Sequence, residues 1–222
     1  MARSIKFTVL INLLTLFITI CYAYAEMFNG VEFPNGKSSF ADEWIEYIQG
    51  QNVSDNYNDP NTALGVPDYT NGKNAVSLGD QGVLTLKFTD NALTTSGDDS
   101  YDLWIFEVGN VIEPTKVEIS KDGTNWIFVG KTGGGTKGID IDSYLSSGVN
   151  LNDKYYYVKL TDLLPAQSTY PYAGADIDAV GAISSVNPVP ISGTLPLLCS
   201  GMICFMAKRR KKTIKERERC SS

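Results

Sequence analysis

Between residues 26 and 186 no segment carries apolar residues at i, i+3, i+4 and i+7 through three helical turns. Short alternating runs separated by Gly, Asn, Asp and Pro clusters take their place, and that is the pattern of strands. Val83-Leu84-Thr85-Leu86-Lys87-Phe88 alternates after Gly79-Asp80-Gln81-Gly82. Leu103-Trp104-Ile105-Phe106-Glu107-Val108 is nearly continuously apolar, as expected of a strand buried on both faces. Lys116-Val117-Glu118-Ile119-Ser120 and Trp126-Ile127-Phe128-Val129 flank Lys121-Asp122-Gly123-Thr124-Asn125, and an Asp-Gly between two β runs predicts a hairpin. Residues 155–160 and 177–183 complete the set, and strands at this spacing predict a single all-β sandwich or jelly roll. Residues 130–138, with Gly133-Gly134-Gly135, read as a flexible loop. No Lys-Ser/Thr and helix follow to make a phosphate cradle of it.

The sequence contains no histidine, which excludes Ser-His-Asp and Cys-His nucleophiles and His-ligated metal sites. Of 4 cysteines, Cys21 lies near the N-terminus and Cys199, Cys204 and Cys220 near the C-terminus. The region from 26 to 198 therefore has no disulfide framework. At about 160 residues it is long enough to bury one core without one. The formal net charge of −6 conceals an acidic middle, because residues 26–207 hold 9 basic against 23 acidic side chains, or −14. Such a surface repels phosphate backbones, so nucleic acid is excluded as a partner.

Residues 1–25 read as a secretory signal peptide: Arg3 and Lys6 precede an apolar run over 7–20, and Ala23 and Ala25 supply the small residues of a cleavage site before Glu26. At the other end a Pro-containing linker, 187–193, leads into an apolar segment, 194–207, and a basic tail, 208–222. Apolar followed by basic predicts a transmembrane stop with the tail at the cytoplasmic face. The stretch from Val189 to Ala207 is 19 residues, about the minimum for a hydrocarbon layer of about 30 Å.

Val189, Pro190, Ser192 and Gly193, the Ser200-Gly201-Met202 of the span and the cluster around Arg209 and Arg210 together resemble a PEP-CTERM sorting signal. Ser192 stands where that motif usually has its second proline. The resemblance implies a Gram-negative host, an exosortase-type processing enzyme as partner, an inner-membrane intermediate during export, and a final place at the cell surface or outside the cell. A second resemblance spans residues 41–184. Thr62-Ala63-Leu64-Gly65-Val66-Pro67-Asp68, Asp102-Leu103-Trp104-Ile105-Phe106-Glu107-Val108-Gly109, Ser120-Lys121-Asp122-Gly123-Thr124-Asn125-Trp126 and Ala173-Gly174-Ala175-Asp176-Ile177-Asp178-Ala179-Val180 are similar to bacterial cell-surface domains with a discoidin, or galactose-binding-like, jelly roll. What this implies is a noncatalytic extracellular sandwich that binds glycan, such as exopolysaccharide, or another surface through loops at one end, in some members with a structural calcium.

The carboxylates Asp90, Asp98, Asp99, Asp102, Glu107, Asp162, Asp176 and Asp178 and the amide of Asn91 fall at strand ends and loops. Calcium takes six to eight hard oxygens in irregular geometry, so Asp90, Asn91, Asp102, Asp176 and Asp178 are the candidate ligands, with Asp176 and Asp178 expected on one face of a strand. The ordinary reading is that Asp and Asn form turns and keep an acidic surface soluble. Tyr170 and Tyr172, in a Pro-containing loop, are the candidate sugar-stacking residues, or else aromatics that pin the loop to the sandwich. Glycan binding, a structural self-associating surface protein on a plain anchor, and more distantly a carbohydrate-active hydrolase acting through paired carboxylates are the functions these residues allow.

Overall fold

The computed structural model describes residues 25–109, 111, 113–163 and 170–185. Along them run strands β1 (Glu26–Phe28), β2 (Val31–Phe33), β3 (Glu43–Ile48), β4 (Val76–Ser77), β5 (Val83–Lys87), β6 (Leu103–Val108), β7 (Pro114–Ser120), β8 (Trp126–Gly133), β9 (Lys137–Ile139), β10 (Tyr157–Asp162) and β11 (Asp176–Ala182). The helical elements among the described residues are three short 3-10 turns, Gly36–Ser39, Pro60–Ala63 and Asp142–Ser147.

Alternation decides which way each strand faces. In β10 the side chains of Val158, Leu160 and Asp162 are buried while Tyr157, Lys159 and Thr161 are half-buried, and β7 repeats the pattern. These strands belong to a five-stranded antiparallel sheet in the order β3-β5-β10-β7-β8. A second antiparallel sheet has the order β4-β11-β6-β9. Leu84, Leu86, Val117, Ile119, Val158 and Leu160 of the first sheet meet Val76, Leu103, Ile105, Ile177 and Val180 of the second in one buried cluster. Two sheets that share a core make a β-sandwich. Each such Leu, Ile or Val contributes about 1.5–3 kcal/mol relative to leaving it in water.

The outer face of the four-stranded sheet is also covered. Phe106 of β6 packs with Phe28 and Phe33 of the β1-β2 hairpin and with Phe40, and the Phe33 and Phe40 rings stand 4.6 Å apart. β6 is thus buried on both faces and occupies the residues its apolar run predicts. The Asp-Gly hairpin also forms between β7 and β8: Asp122 Oδ1 accepts the amides of Thr124 and Asn125, and Gly123 takes φ 76°.

The glycine-rich stretch departs from its reading as a loop. β8 continues through Gly133 against β7, and β9 begins at Lys137 against β6. Backbone pairing of β8 to β7 and of β9 to β6 outweighs the low strand preference of glycine, and Gly130 takes the positive φ that a register shift in β8 requires. Among the described residues no helix is long and apolar enough to cross a membrane. Ala23, Val189, Pro190, Ser192, Gly193, Arg209 and Arg210 lie outside the described residues. Ala25 is exposed at the start of them.

Candidate functional site

β6 fixes the frame, because Asp102 immediately precedes it and Glu107 lies near its far end. Asp176 pairs with Val108 at that far end, so Asp102 and Asp176 are separated by the length of the strand, roughly 20 Å at about 3.3 Å per residue. The five residues expected around one calcium therefore do not converge, which corrects that expectation. Asp90 sits beside Asp42, whose Oδ2 accepts the Asp90 amide. Burial, and then the Asp42 charge, push the Asp90 carboxyl up. Asn91 is buried with neither amide atom hydrogen-bonded. Asp178 Oδ1 accepts the amides of Asp68 and Tyr69, whereas Asp176 accepts from the Ser77 hydroxyl. Asp176 and Asp178 thus serve different partners.

At the far end of β6 a group of acids collects that strand alternation alone does not foretell. Glu107, Glu113 and Asp162 are only 4, 3 and 2% exposed, and they act on one another and on Asp176 and Asp80 through their charges. Asp162 is held by the amides of Gln81 and Ala175. Neither carboxylate oxygen of Glu107 has a hydrogen-bond partner; the Gly134 amide faces it and favours its ionised form slightly without meeting hydrogen-bond geometry. Burial first, and then the neighbouring carboxylates, push Glu107 and Glu113 up to about 8. Burial alone raises Asp176 to about 6, against the Ser77 hydrogen bond. Held near 8, Glu107 and Glu113 keep their protons through neutral pH, so this end carries less negative charge than its carboxyl groups would in water.

Backbone closes over these acids. A Cβ on Gly82 would stand 1.7 Å from the Leu78 carbonyl oxygen, and one on Gly174 2.6 Å from that of Gly79. Gly79 donates to Ala173 O at 2.7 Å and Leu78 to Ala175 O at 2.9 Å, which ties the turn after β4 to the segment before β11. That segment continues back into the loop of Tyr170 and Tyr172, whose rings are 67 and 47% exposed. Ser54 donates to Pro171 O at 2.9 Å, and the Tyr57 ring stands edge-on to Tyr172 at 5.7 Å. The two candidate stacking residues are thus outside the core, on a loop held by backbone hydrogen bonds at the acidic end.

The entry end of β6 has a different arrangement. One carboxylate oxygen from each of Asp102, Asp140 and Asp142 lies within 4.8 Å of the others. Asp102 is fully buried, and burial raises its carboxyl against the nearby Ser184 and Ser96 hydroxyls, which do not meet hydrogen-bond geometry with it, and the Ile141 amide, which donates to its Oδ2. Asp140 and Asp142 were not among the residues expected from sequence, although two carboxylates spaced by one residue beside a strand are the signal that was available. Glu113 escaped notice because it lies just before β7 rather than inside an alternating run.

No protein-family model matches the sequence, and no curated protein does. Among solved structures the chain is similar to the crystal structure of the C-terminal domain of a chitobiase from Bacteroides fragilis, at 14% identity and a TM-score of 0.36, over 68% of this chain and 97% of that one.

Proposed function

We propose that this chain is an exported, noncatalytic surface or matrix protein, a galactose-binding-like jelly roll that binds glycan through the end carrying Tyr57, Tyr170 and Tyr172. The observation that carries the reading is the pair of exposed tyrosines on a loop whose backbone is already held by Ser54 and Asn52. Rigid aromatic faces stack on the apolar faces of sugar rings, and a loop that is ordered before binding loses less entropy when it binds. The carboxylates beneath that loop are buried against backbone, a setting that favours a structural role over attack on a glycosidic bond.

Titrating the protein with purified exopolysaccharide, followed by tyrosine and tryptophan fluorescence, tests it. Saturable binding that weakens in Tyr172→Ala and in Tyr170→Ala is expected. Binding unchanged in both variants contradicts the reading. A second reading, self-association, is favoured by one observation: Trp44, Ile45 and Ile48 are 42, 50 and 53% exposed on β3, an edge strand of the five-stranded sheet. Sedimentation that shifts with Ile45→Lys but not with Tyr172→Ala would favour it.

Export and processing belong to the same proposal. The order of Pro190, an apolar span and a basic cluster supports removal of the tail by an exosortase-type enzyme. A C-terminal epitope tag should be lost in a host with that enzyme and kept in one without it. Pro190→Ala should block the loss while leaving insertion intact, since span length and flanking charge are unchanged. A tag kept equally in both hosts leaves a plain membrane anchor.

A further inference from the structure

The structure assigns a divalent cation site to Asp102, Asp140 and Asp142, at the opposite end of β6 from the tyrosine loop, and its oxygen chemistry selects calcium. Three separate parts of the chain build it. Asp102 leads into β6, Asp140 and Asp142 follow β9, and the pairing of Leu103 with Ile139 brings the two together. Ile141, fully buried between the two aspartates, donates its amide to Asp102 Oδ2 at 2.9 Å. The loop before β6 supplies the third wall, with the amides of Ser96 and Gly97 on Asp142 Oδ2 at 3.0 and 3.2 Å.

Convergence of three carboxylate oxygens within 4.8 Å is one observation. A second, independent of it, points to a ligand: Asp102 is 0% exposed, and its Oδ1 has no hydrogen-bond partner. A buried carboxylate oxygen without a donor is costly. Asp140 accepts from the Asp142 and Ser143 amides and the Ser143 hydroxyl, and Asp142 from Ser96 and Gly97, yet these neutral donors place no positive charge among three carboxylates that repel one another at this distance. The ion pairs formed by described residues engage Glu43, Glu118 and Asp153, so lysine does not supply that charge here.

The donor set decides the class of ion. It is all oxygen, and the sequence has no histidine and no cysteine between residues 26 and 198, which disfavours the metals that take nitrogen or sulfur. Asp140 and Asp142 are half-buried, so water can reach the ion and complete the six to eight oxygens that calcium accepts without strict geometry. Magnesium, which demands near-ideal octahedral geometry, should bind more weakly to carboxylates whose directions are already fixed by backbone amides.

Equilibrium dialysis of the full chain against calcium, paired with thermal melting in calcium and in chelator, tests the assignment. Wild-type protein should bind calcium, and millimolar calcium should raise its melting temperature by several degrees through mass action. Asp140→Asn and Asp142→Asn remove half-buried charges rather than core groups. In chelator each should melt no lower than wild type, because a repulsion is relieved, and in calcium each should lose the rise. No calcium bound to wild type, or an equal rise in wild type and both variants, overturns the site; the second result would place the ion elsewhere, as at the Glu107 end.

Discussion

The two ends of β6 both gather carboxylates, and they solve the repulsion differently. At the far end Glu107, Glu113 and Asp162 are sealed under backbone that packs so tightly at Gly82 and Gly174 that no side chain fits. Their ionised forms are disfavoured, and Glu107 and Glu113 are held up near 8. At the entry end Asp140 and Asp142 remain reachable from solvent, are aimed by backbone amides, and bring their oxygens together with that of Asp102. Dense packing makes a proton the neutralising charge at one end. Convergent, half-exposed oxygens make a metal ion suitable at the other.

The largest effect should come from breaking the seal. Gly82→Ala places a methyl group 1.7 Å from a backbone carbonyl, and backbone has no rotamer with which to yield, so a loss of about 3 kcal/mol is expected. Denaturant unfolding measures it. A loss below about 1 kcal/mol would mean that the turn is looser than its geometry and closer to an ordinary surface site.

How much of this was legible in the sequence follows from the same contrast. β5, β6, β7 and β10 can be read directly, because alternation or a continuous apolar run survives wherever a strand lies between two neighbours. β3 could not be, since it is an edge strand with a register shift between Trp44 and Glu46 and most of its side chains exposed. β9 is three residues long and follows a glycine run, too short for any period to show. Asp102, Asp176 and Asp178 stand out in the sequence as carboxylates at strand ends, yet grouping them required knowing which strand ends meet. That information lies in the pairing of β6 with β9 and β11, not in the local pattern that identifies each strand.

Second in size is a pH effect that belongs to the far end alone. Glu107 and Glu113 have folded pKa values of about 8, above the ordinary 4.5, so the folded state holds their protons more tightly than the unfolded chain does. Stability from this source is full below about 4.5 and is lost as pH rises toward about 8. Glu107→Gln removes part of that slope: the variant should melt near wild type at pH 5 and several degrees above it at pH 9, as thermal denaturation by circular dichroism would record. Equal melting of the two at pH 9 would contradict the assignment of Glu107 as a proton-holding acid.

Smallest in free energy, though central to function, is the tyrosine loop over that same end. Tyr172→Ala removes a ring 47% exposed, so stability should change little, while glycan affinity should fall by up to about tenfold, the worth of roughly 1.4 kcal/mol of aromatic contact. Isothermal titration with an oligosaccharide ligand checks it. Affinity unchanged while Tyr170→Ala abolishes binding would move the contact to the outer ring of the pair.

The claim that protons neutralise one acidic end and a cation the other is tested most directly by carboxyl-carbon NMR of protein labelled at Asp and Glu side chains, titrated with pH in chelator and again in millimolar calcium. Glu107 and Glu113 should titrate near 8 in both conditions, while calcium shifts the Asp102, Asp140 and Asp142 resonances and leaves the two glutamates where they were. Glutamates that titrate in the ordinary carboxylate range, or calcium that moves Glu107 and not Asp140, would contradict it.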